Sequence, residues 1–332
     1  MAATGASRRP GPATLEIRDL TVDLVQRRRR GRILNEISLE VRPGEIVGLI
    51  GESGSGKSMT ALSVLGLTPE RTKVTGGDIL LEGRSLRDMS PAELRAMRGD
   101  RIAMVPQDAM AAMNPVLRVG TQVGEPYVLH RGLSWREARS RAARLLGMVH
   151  IPSPDQRARD YPHQFSGGML QRSMIGMGLA LEPSLIIADE PTTALDVTIQ
   201  AQVLRLLHEV RDEHGTSILF ISHDLGVIAE LCDWVYVMYA GRIVEQGHVD
   251  DILSEPAHPY TQALLNAIPS VETNGGELAS IEGRIPSPFA WSGACRFADR
   301  CEFRFDRCAK EPGLLAVAAG HEARCWLVEE SP

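Results

Sequence analysis

The segment Gly51-Glu52-Ser53-Gly54-Ser55-Gly56-Lys57-Ser58 fits the pattern G-x-x-x-x-G-K-[ST] at every position. Small residues let successive backbone N–H groups turn inward around a tetrahedral anion, and a helix starting at the end of the loop adds partial positive charge. In such a loop the lysine, Lys57, reaches the β- and γ-phosphates of a nucleoside triphosphate, and the Ser58 hydroxyl coordinates Mg²⁺. The flanks agree with this. Glu45 to Ile50 is a nearly continuous apolar run suited to a strand buried on both faces, and Ser58 to Leu67 is compatible with a helix. That context separates the motif from a chance glycine-rich turn.

Two further patterns bear on the same chemistry. Leu185-Ile186-Ile187-Ala188-Asp189-Glu190 is an apolar strand ending in two carboxylates. Asp189 suits the Mg²⁺ shell, and Glu190, one residue on, can act as general base on an attacking water. Alone, paired acids at a strand end could equally cap the next helix; the upstream loop favours catalysis. Phe165-Ser166-Gly167-Gly168-Met169 precedes a helix-forming segment and offers a second phosphate-binding helix start. Ser-Gly-Gly is also common in linkers, so it carries little by itself.

The elements that must hold these residues alternate. Strand-like stretches are expected at Leu15 to Ile17, Leu20 to Val25, Ile37 to Val41, Asp78 to Leu81, Arg101 to Val105, Leu185 to Ala188, Ser217 to Ser222 and Trp234 to Met238. Helices are expected at Ser90 to Met97, Glu137 to Val149 and Val197 to Asp212. Residues 119–181 carry helical periodicity and read as a helical insertion. Alternation of this kind predicts an α/β fold with a mainly parallel core sheet, and the early strands predict an antiparallel side sheet. Residues 1–13 read as a disordered tail, 14–250 as the nucleotide domain and 251–332 as a C-terminal region that follows it.

Composition narrows the function classes. The net charge of −6 gives no general affinity for nucleic acid. No apolar stretch approaches the roughly 18 residues needed to span a bilayer, and Arg8 and Arg9 are followed by Pro10, Gly11 and Pro12 rather than an apolar run. The chain is therefore expected in the cytoplasm. The run Arg27 to Arg30, followed by Arg32, is expected to be a solvated loop between strands.

The loop Gly51 to Ser58, Gln107 after a strand, Ser166-Gly167-Gly168, Asp189-Glu190, Ala194-Leu195-Asp196 and His223 occur in one order. Together they resemble the nucleotide-binding subunit of an ABC transporter, a P-loop ATPase. The resemblance implies that Gly51, Glu52, Ser53, Gly54, Ser55, Gly56, Lys57, Ser58 and Met59 bind ATP. Ser58, Gln107 and Asp189 are implied to hold Mg²⁺, with Glu190, His223, Gln107 and Lys57 catalytic. Ser166, Gly167, Gly168 and Met169 form the signature that closes on ATP held by the other subunit of a dimer, and Asp196 lies at that interface. Met169 replaces the more usual glutamine, as is frequent in the peptide and nickel branch. No Phe, Tyr or Trp precedes Tyr127. The aromatic on which this family stacks adenine is thus missing, and an arginine of the 27–32 run, or Val25 or Ile33, is the expected substitute.

The C-terminal region extends the resemblance. His258-Pro259-Tyr260-Thr261-Gln262-Ala263-Leu264-Leu265 and Ile281-Glu282-Gly283-Arg284-Ile285-Pro286 are similar to the tail of oligopeptide/dipeptide importer ATPases. Cys295, Cys301, Cys308 and Cys325 follow, spaced C-x5-C-x6-C-x16-C, unlike the short pairs of zinc fingers. Spacing alone leaves a metal or cluster site and four unligated thiols both open. The resemblance implies a [4Fe–4S] cluster on the four thiolates, with Arg296, Arg300, Arg304, Arg307 and Arg324 offsetting its charge. It also implies the partners: a second ATPase subunit (a related chain, or a copy of this one), two integral membrane permease subunits, and an extracytoplasmic solute-binding protein. The implied place is the cytoplasmic face of the inner membrane. The implied task is import of peptides, with nickel or another small solute as alternatives. The rival is a soluble ABC ATPase acting on nucleic acid or ribosomes; no second P-loop or basic face supports it.

Overall fold

A computed structural model describes residues 11–26, 29–193, 195–267, 281–291 and 293–330. Most of the expected N-terminal tail, together with Arg27, Arg28 and Ala194, lies outside them. The strands are β1 (Leu15–Gln26), β2 (Arg29–Val41), β3 (Ile46–Ile50), β4 (Thr72–Leu81), β5 (Arg84–Ser85), β6 (Ile102–Val105), β7 (Leu185–Asp189), β8 (Ser217–Ser222), β9 (Trp234–Tyr239), β10 (Arg242–His248), β11 (Leu315–Ala318) and β12 (His321–Ala323). The chain divides into two compact units, one of residues 1–40, 47–87 and 221–332, the other of residues 41–46 and 88–220.

In the first unit β3 and β9 run parallel, Val47 opposite Trp234 and Ile50 opposite Val237. Every residue of both strands is buried. That is why they read as unbroken apolar runs: both faces of the sheet are covered, so no position is left for a polar residue. Burying aliphatic side chains of this size stabilises by about 1.5–3 kcal/mol each. β9 turns back into β10, and the order continues through β12 to β11. A side sheet of order β2-β1-β4-β5 forms separately, with β1 and β4 antiparallel. The two expected stretches Leu15 to Ile17 and Leu20 to Val25 are one strand, whose register shifts near Asp19 at φ 47°. Such a bulge breaks the apolar alternation and makes one strand read as two.

The second unit holds β8, β7 and β6 in that order, with β6 and β7 parallel. Its long helices are Val119–Arg131, Trp135–Met148, Gly167–Leu179 and Val197–His214. The second of these begins with a capping box: the Glu137 N–H donates to Ser134 Oγ at 3.3 Å, and the Ser134 N–H donates to Glu137 Oε2 at 3.1 Å. Ala138, Ala142, Leu145 and Leu146 form its buried stripe, at helical spacing.

One expectation is corrected in the first unit. The described arginines of the basic run belong to β2, not to a loop. Arg30 and Arg32 pair with the buried Asp23 at 2.5 and 3.3 Å, and Arg29 lies over the Phe289 ring, 5.1 Å from its centroid. The carboxylate's own burial pulls its pKa upward, but the bonds from Thr75, Arg30 and Arg32 outweigh this and hold Asp23 below the usual range. The C-terminal region joins the sheet of the first unit. β12 pairs with β10, Glu245 opposite Ala323. Glu245, with no exposed surface, accepts from the Ala257 N–H at 2.6 Å and the His258 N–H at 3.1 Å, and contacts His321 Nε2 at 2.7 Å. This buried carboxylate ties the start of the helix Pro259–Asn266 and the last strand to β10.

Candidate functional site

The first unit carries the glycine-rich loop between β3 and the helix Lys57–Val64. Gly51, Gly54 and Gly56 all take positive φ, at 149°, 84° and 116°. At Gly51 a Cβ would stand 2.1 Å from the Met238 carbonyl oxygen of β9, so no other residue fits there without backbone movement. The Gly241 N–H donates to the Ser55 carbonyl at 2.7 Å and fixes the far side of the loop. Lys57, 5% exposed, folds its ammonium back onto the Gly51 and Glu52 carbonyls at 2.6 and 3.2 Å. The lysine is thereby held against the backbone of its own loop. Ser58 is exposed at the first turn of the helix. In the same unit His223 is exposed just after β8, and Asp224 caps the following helix Leu225–Leu231 through the Gly226 N–H at 2.8 Å.

The second unit brings the carboxylates and the glutamine together. β7 is buried throughout and ends at Asp189, 7% exposed. Glu190 follows at φ 48°, the left-handed region that a non-glycine residue enters at a cost of about 1–2 kcal/mol. Its Oε2 accepts from Gln107 Nε2 at 3.0 Å and from Thr193 Oγ1 at 3.1 Å. Gln107, expected from the sequence, thus meets Glu190 directly. Thr193 is a partner the sequence did not single out, although its place three residues beyond Glu190 allows the contact. Within this unit Asp189 offers a carboxylate and Gln107 an amide oxygen to a cation. That hard donor set suits Mg²⁺.

Ser166 caps the helix Gly167–Leu179, its Oγ accepting from the Met169 N–H at 3.3 Å. Ser166 and Gly167 are exposed and Gly168 is buried. A Cβ at Gly168 would stand 2.3 Å from Ile199 Cγ2, which explains a glycine there: the helix Val197–His214 packs against the turn. Asp196 caps that second helix through the Ile199 N–H at 3.0 Å and is itself exposed. Past Gln107, Met113 is buried while Met110, Val116 and Leu117 are exposed. Gln122 fixes this loop, accepting from the Asn114 N–H at 2.8 Å and donating to the Asn114 and Leu117 carbonyls at 3.0 Å each.

In the first unit Cys295, Cys301, Cys308 and Cys325 line one cavity of ≈ 10 Å³, walled otherwise by Phe297, Phe303 and other largely apolar side chains. Burial, reinforced by the neighbouring thiols, pushes Cys295 and Cys325 up to about 11. Among the described residues no three His, Cys, Asp or Glu side chains form a group that could hold a metal ion. The five nearby arginines are engaged elsewhere than the expectation had them. Arg296 pairs with Glu311, Arg304 with Asp299 and Arg307 with Glu329, at 3.2, 3.0 and 2.5 Å, while Arg324 donates to the Ile243 and Pro312 carbonyls. Arg300 binds Glu52, the second residue of the glycine-rich loop, at 2.9 Å. Burial pulls the Arg300 guanidinium down, but its bonds to Glu52 and Tyr239 outweigh this and hold it above the ordinary arginine value. The remaining cysteine, Cys232, is a buried thiol pushed far up by desolvation.

Two family models match the chain: ABC transporter over residues 34–193, and the oligopeptide/dipeptide transporter C-terminal region over residues 244–308. A probable peptide ABC transporter ATP-binding protein of Sinorhizobium fredii is 47% identical, covering 95% of each chain. An oligopeptide transport ATP-binding protein of Salmonella typhimurium is 42% identical, over 97% of this chain and 96% of its own. Among solved structures, a dimeric ATP-binding cassette in a post-hydrolysis state with ADP and Pi superposes with a TM-score of 0.64 at 28% identity. It covers 71% of this chain and 98% of its own.

Proposed function

Because this chain belongs to the ATP-binding subunits of ABC transporters, in the oligopeptide/dipeptide branch, we propose that its hydrolysis of ATP powers import of peptides or related small solutes. The chain is an ATPase with the P-loop cassette fold. The observation that carries the catalytic assignment is the Glu190 carboxylate, set at the end of a buried strand and fixed by Gln107 and Thr193.

The loop Gly51 to Met59 holds the triphosphate, with Lys57 turning from the loop carbonyls to the β- and γ-phosphates. Ser58, Gln107 and Asp189 are the residues that would hold Mg²⁺, whose charge offsets that of the phosphates. Glu190 accepts a proton from water as the new oxygen–phosphorus bond forms. The bond to the β,γ-bridging oxygen breaks and ADP leaves. His223 contacts the γ-phosphate. Ser166, Gly167, Gly168 and Met169 complete the ATP site of a second ATPase subunit, with Asp196 at the shared interface. The exposure of Ser166, Gly167 and Asp196 supports this, because these residues present capped helix starts to a partner. A related second chain gives a heterodimer.

Among the described residues no helix is long and apolar enough to cross a membrane. Membrane attachment at the cytoplasmic face therefore falls to two permease subunits. Met110, Val116 and Leu117, exposed beyond Gln107, supply an apolar patch for them. A solute-binding protein delivers cargo outside.

The test is reconstitution with the permeases and binding protein in liposomes. Labelled peptide should accumulate, and peptide-loaded binding protein should stimulate ATP hydrolysis several-fold. Stimulation by nickel-loaded binding protein alone moves the chain to the metal-importing reading; stimulation by nucleic acid or ribosomes and not by any permease overturns transport.

The cysteine module carries a second proposal: Cys295, Cys301, Cys308 and Cys325 hold a [4Fe–4S] cluster, which when bound supplies a covalent staple or one-electron chemistry. Its support is that all four thiols line one cavity, shared with His258, whose Nδ1 is taken by the Tyr260 N–H at 3.0 Å. Protein purified without oxygen is expected to be brown, with four iron and four sulfide per chain. Colourless protein loaded with zinc, or with no metal, overturns it.

A further inference from the structure

Glu52 places a carboxylate second in a loop built to receive a polyphosphate. Left to itself this charge opposes the ligand, because like charges at close range in a protein site repel appreciably. The structure shows what is done with it. Arg300 grips the carboxylate with both terminal nitrogens, NH1 to Oε2 at 2.9 Å and NH2 to Oε1 at 3.1 Å. Its other donors are filled as well: Nε by the Glu282 carbonyl at 2.7 Å, NH2 by the Ile281 carbonyl at 3.0 Å, and NH1 by the Tyr239 hydroxyl at 3.4 Å. A guanidinium has five N–H groups, and here five acceptors surround it. The Arg300 side chain is 7% exposed. The Glu52 backbone is held too, its N–H donating to the Tyr260 hydroxyl at 2.8 Å. Tyr260 is fully buried and packs on Tyr239 and Phe297, with ring centroids 4.7 and 5.5 Å apart.

We propose that Arg300 is a positioning residue for ATP. It neutralises the Glu52 carboxylate and turns it away from the phosphates, which makes the cysteine-bearing tail a working part of the nucleotide site. This rests on the reading that the loop Gly51 to Ser58 binds ATP. Arg300 follows the residues of the loop by some 250 positions and stands next to Cys301, so the order of the tail reaches the phosphates through one side chain. Lysine cannot replace it, having three donors and no planar fork.

The test compares Arg300→Met, Arg300→Lys, Glu52→Gln and the double variant Glu52→Gln/Arg300→Met in steady-state ATP hydrolysis by the assembled ATPase. Arg300→Met is expected to raise the KM for ATP about tenfold, with kcat reduced far less, because an unpaired carboxylate opposes binding rather than chemistry. Arg300→Lys should fall between Arg300→Met and wild type. The decisive comparison is the double variant. Removing the carboxylate removes the repulsion, so its KM should return to that of Glu52→Gln alone, although the strut is still missing. If Arg300 only braces the fold, the double variant performs no better than Arg300→Met, and the inference is overturned. An unchanged KM in Arg300→Met overturns it as well. Wild-type protein that neither binds nor hydrolyses ATP overturns the functional reading, and this inference with it.

Discussion

Glu190→Gln is expected to lower kcat for ATP hydrolysis by about 100- to 1,000-fold, the loss of a positioned general base, while the Kd for ATP stays within about threefold of wild type. The two halves of this result come from different features of the site. Glu190 Oε2 is an acceptor for Gln107 Nε2 and Thr193 Oγ1, at 3.0 and 3.1 Å. A glutamine amide can turn its oxygen to the same two donors and is nearly the same size, so the loop after β7 keeps its shape. What the amide cannot do is take a proton from water. The backbone is indifferent to the exchange, since Gln and Glu pay similarly for the left-handed φ of 48° at this position. Single-turnover hydrolysis and equilibrium binding of a fluorescent ATP analogue separate the two quantities. Because product formation and not binding is blocked, the ATP-bound dimer should also accumulate in sedimentation runs. A loss in kcat of less than about tenfold takes the base assignment away from Glu190. Glu190→Ala is the harsher change, because it also strips Gln107 and Thr193 of their shared acceptor.

How far this site could be read in advance depended on whether its residues lie close together in the chain. The loop Gly51 to Ser58 was legible because strand, loop and helix start are contiguous, and each residue type answers to a local need. The strand that ends at Asp189 was legible for the same reason: an unbroken apolar run suits a strand buried on both faces, as β7 is, and the upstream loop favoured a chemical use for the two acids that follow. The helices after Ser166 and Asp196 were legible from their periodicity, and the structure adds that these two small polar residues cap them. β10 is the contrary case. Its sequence Arg242 to His248 places Glu245 and Gln246 at buried positions, which reads as anything but a core strand. Those polar groups are satisfied from outside the strand, Glu245 by the Ala257 and His258 N–H groups and by His321, and Gln246 by Glu322, the last two some 76 positions away. The grip of Arg300 on Glu52, 248 positions apart, was hidden for the same reason. A run of five arginines around cysteines invites an electrostatic reading in place. Only the fold shows that each head group has been claimed by another carboxylate or carbonyl. The positive φ of Glu190 left no trace in the sequence at all, since glutamate is an ordinary choice at a strand end.

Gly51→Ala is expected to raise the Kd for ATP by about 100-fold or more, which corresponds to about 2.7 kcal/mol, with the fold retained. Two costs coincide at this position. A φ of 149° is open to glycine and closed to alanine, and such backbone strain alone costs about 1–3 kcal/mol. The added methyl would also stand 2.1 Å from the Met238 carbonyl oxygen and 3.0 Å from Ser55 Oγ. Met238 belongs to β9, a fully buried strand hydrogen-bonded on both sides, and it cannot retreat. The loop must move instead. It carries the Gly51 and Glu52 carbonyls that hold Lys57, at 2.6 and 3.2 Å, so displacing it misplaces the lysine and the converging N–H groups together. Gly44→Ala is the matched control. Gly44 also has positive φ, at 67°, but an added methyl there meets nothing within 4 Å. That variant should lose about 1 kcal/mol of stability from the left-handed turn and keep its affinity for ATP. Equal losses of affinity in the two variants would mean that general strain, and not the closeness of β9 to the phosphate loop, sets the requirement for glycine at position 51.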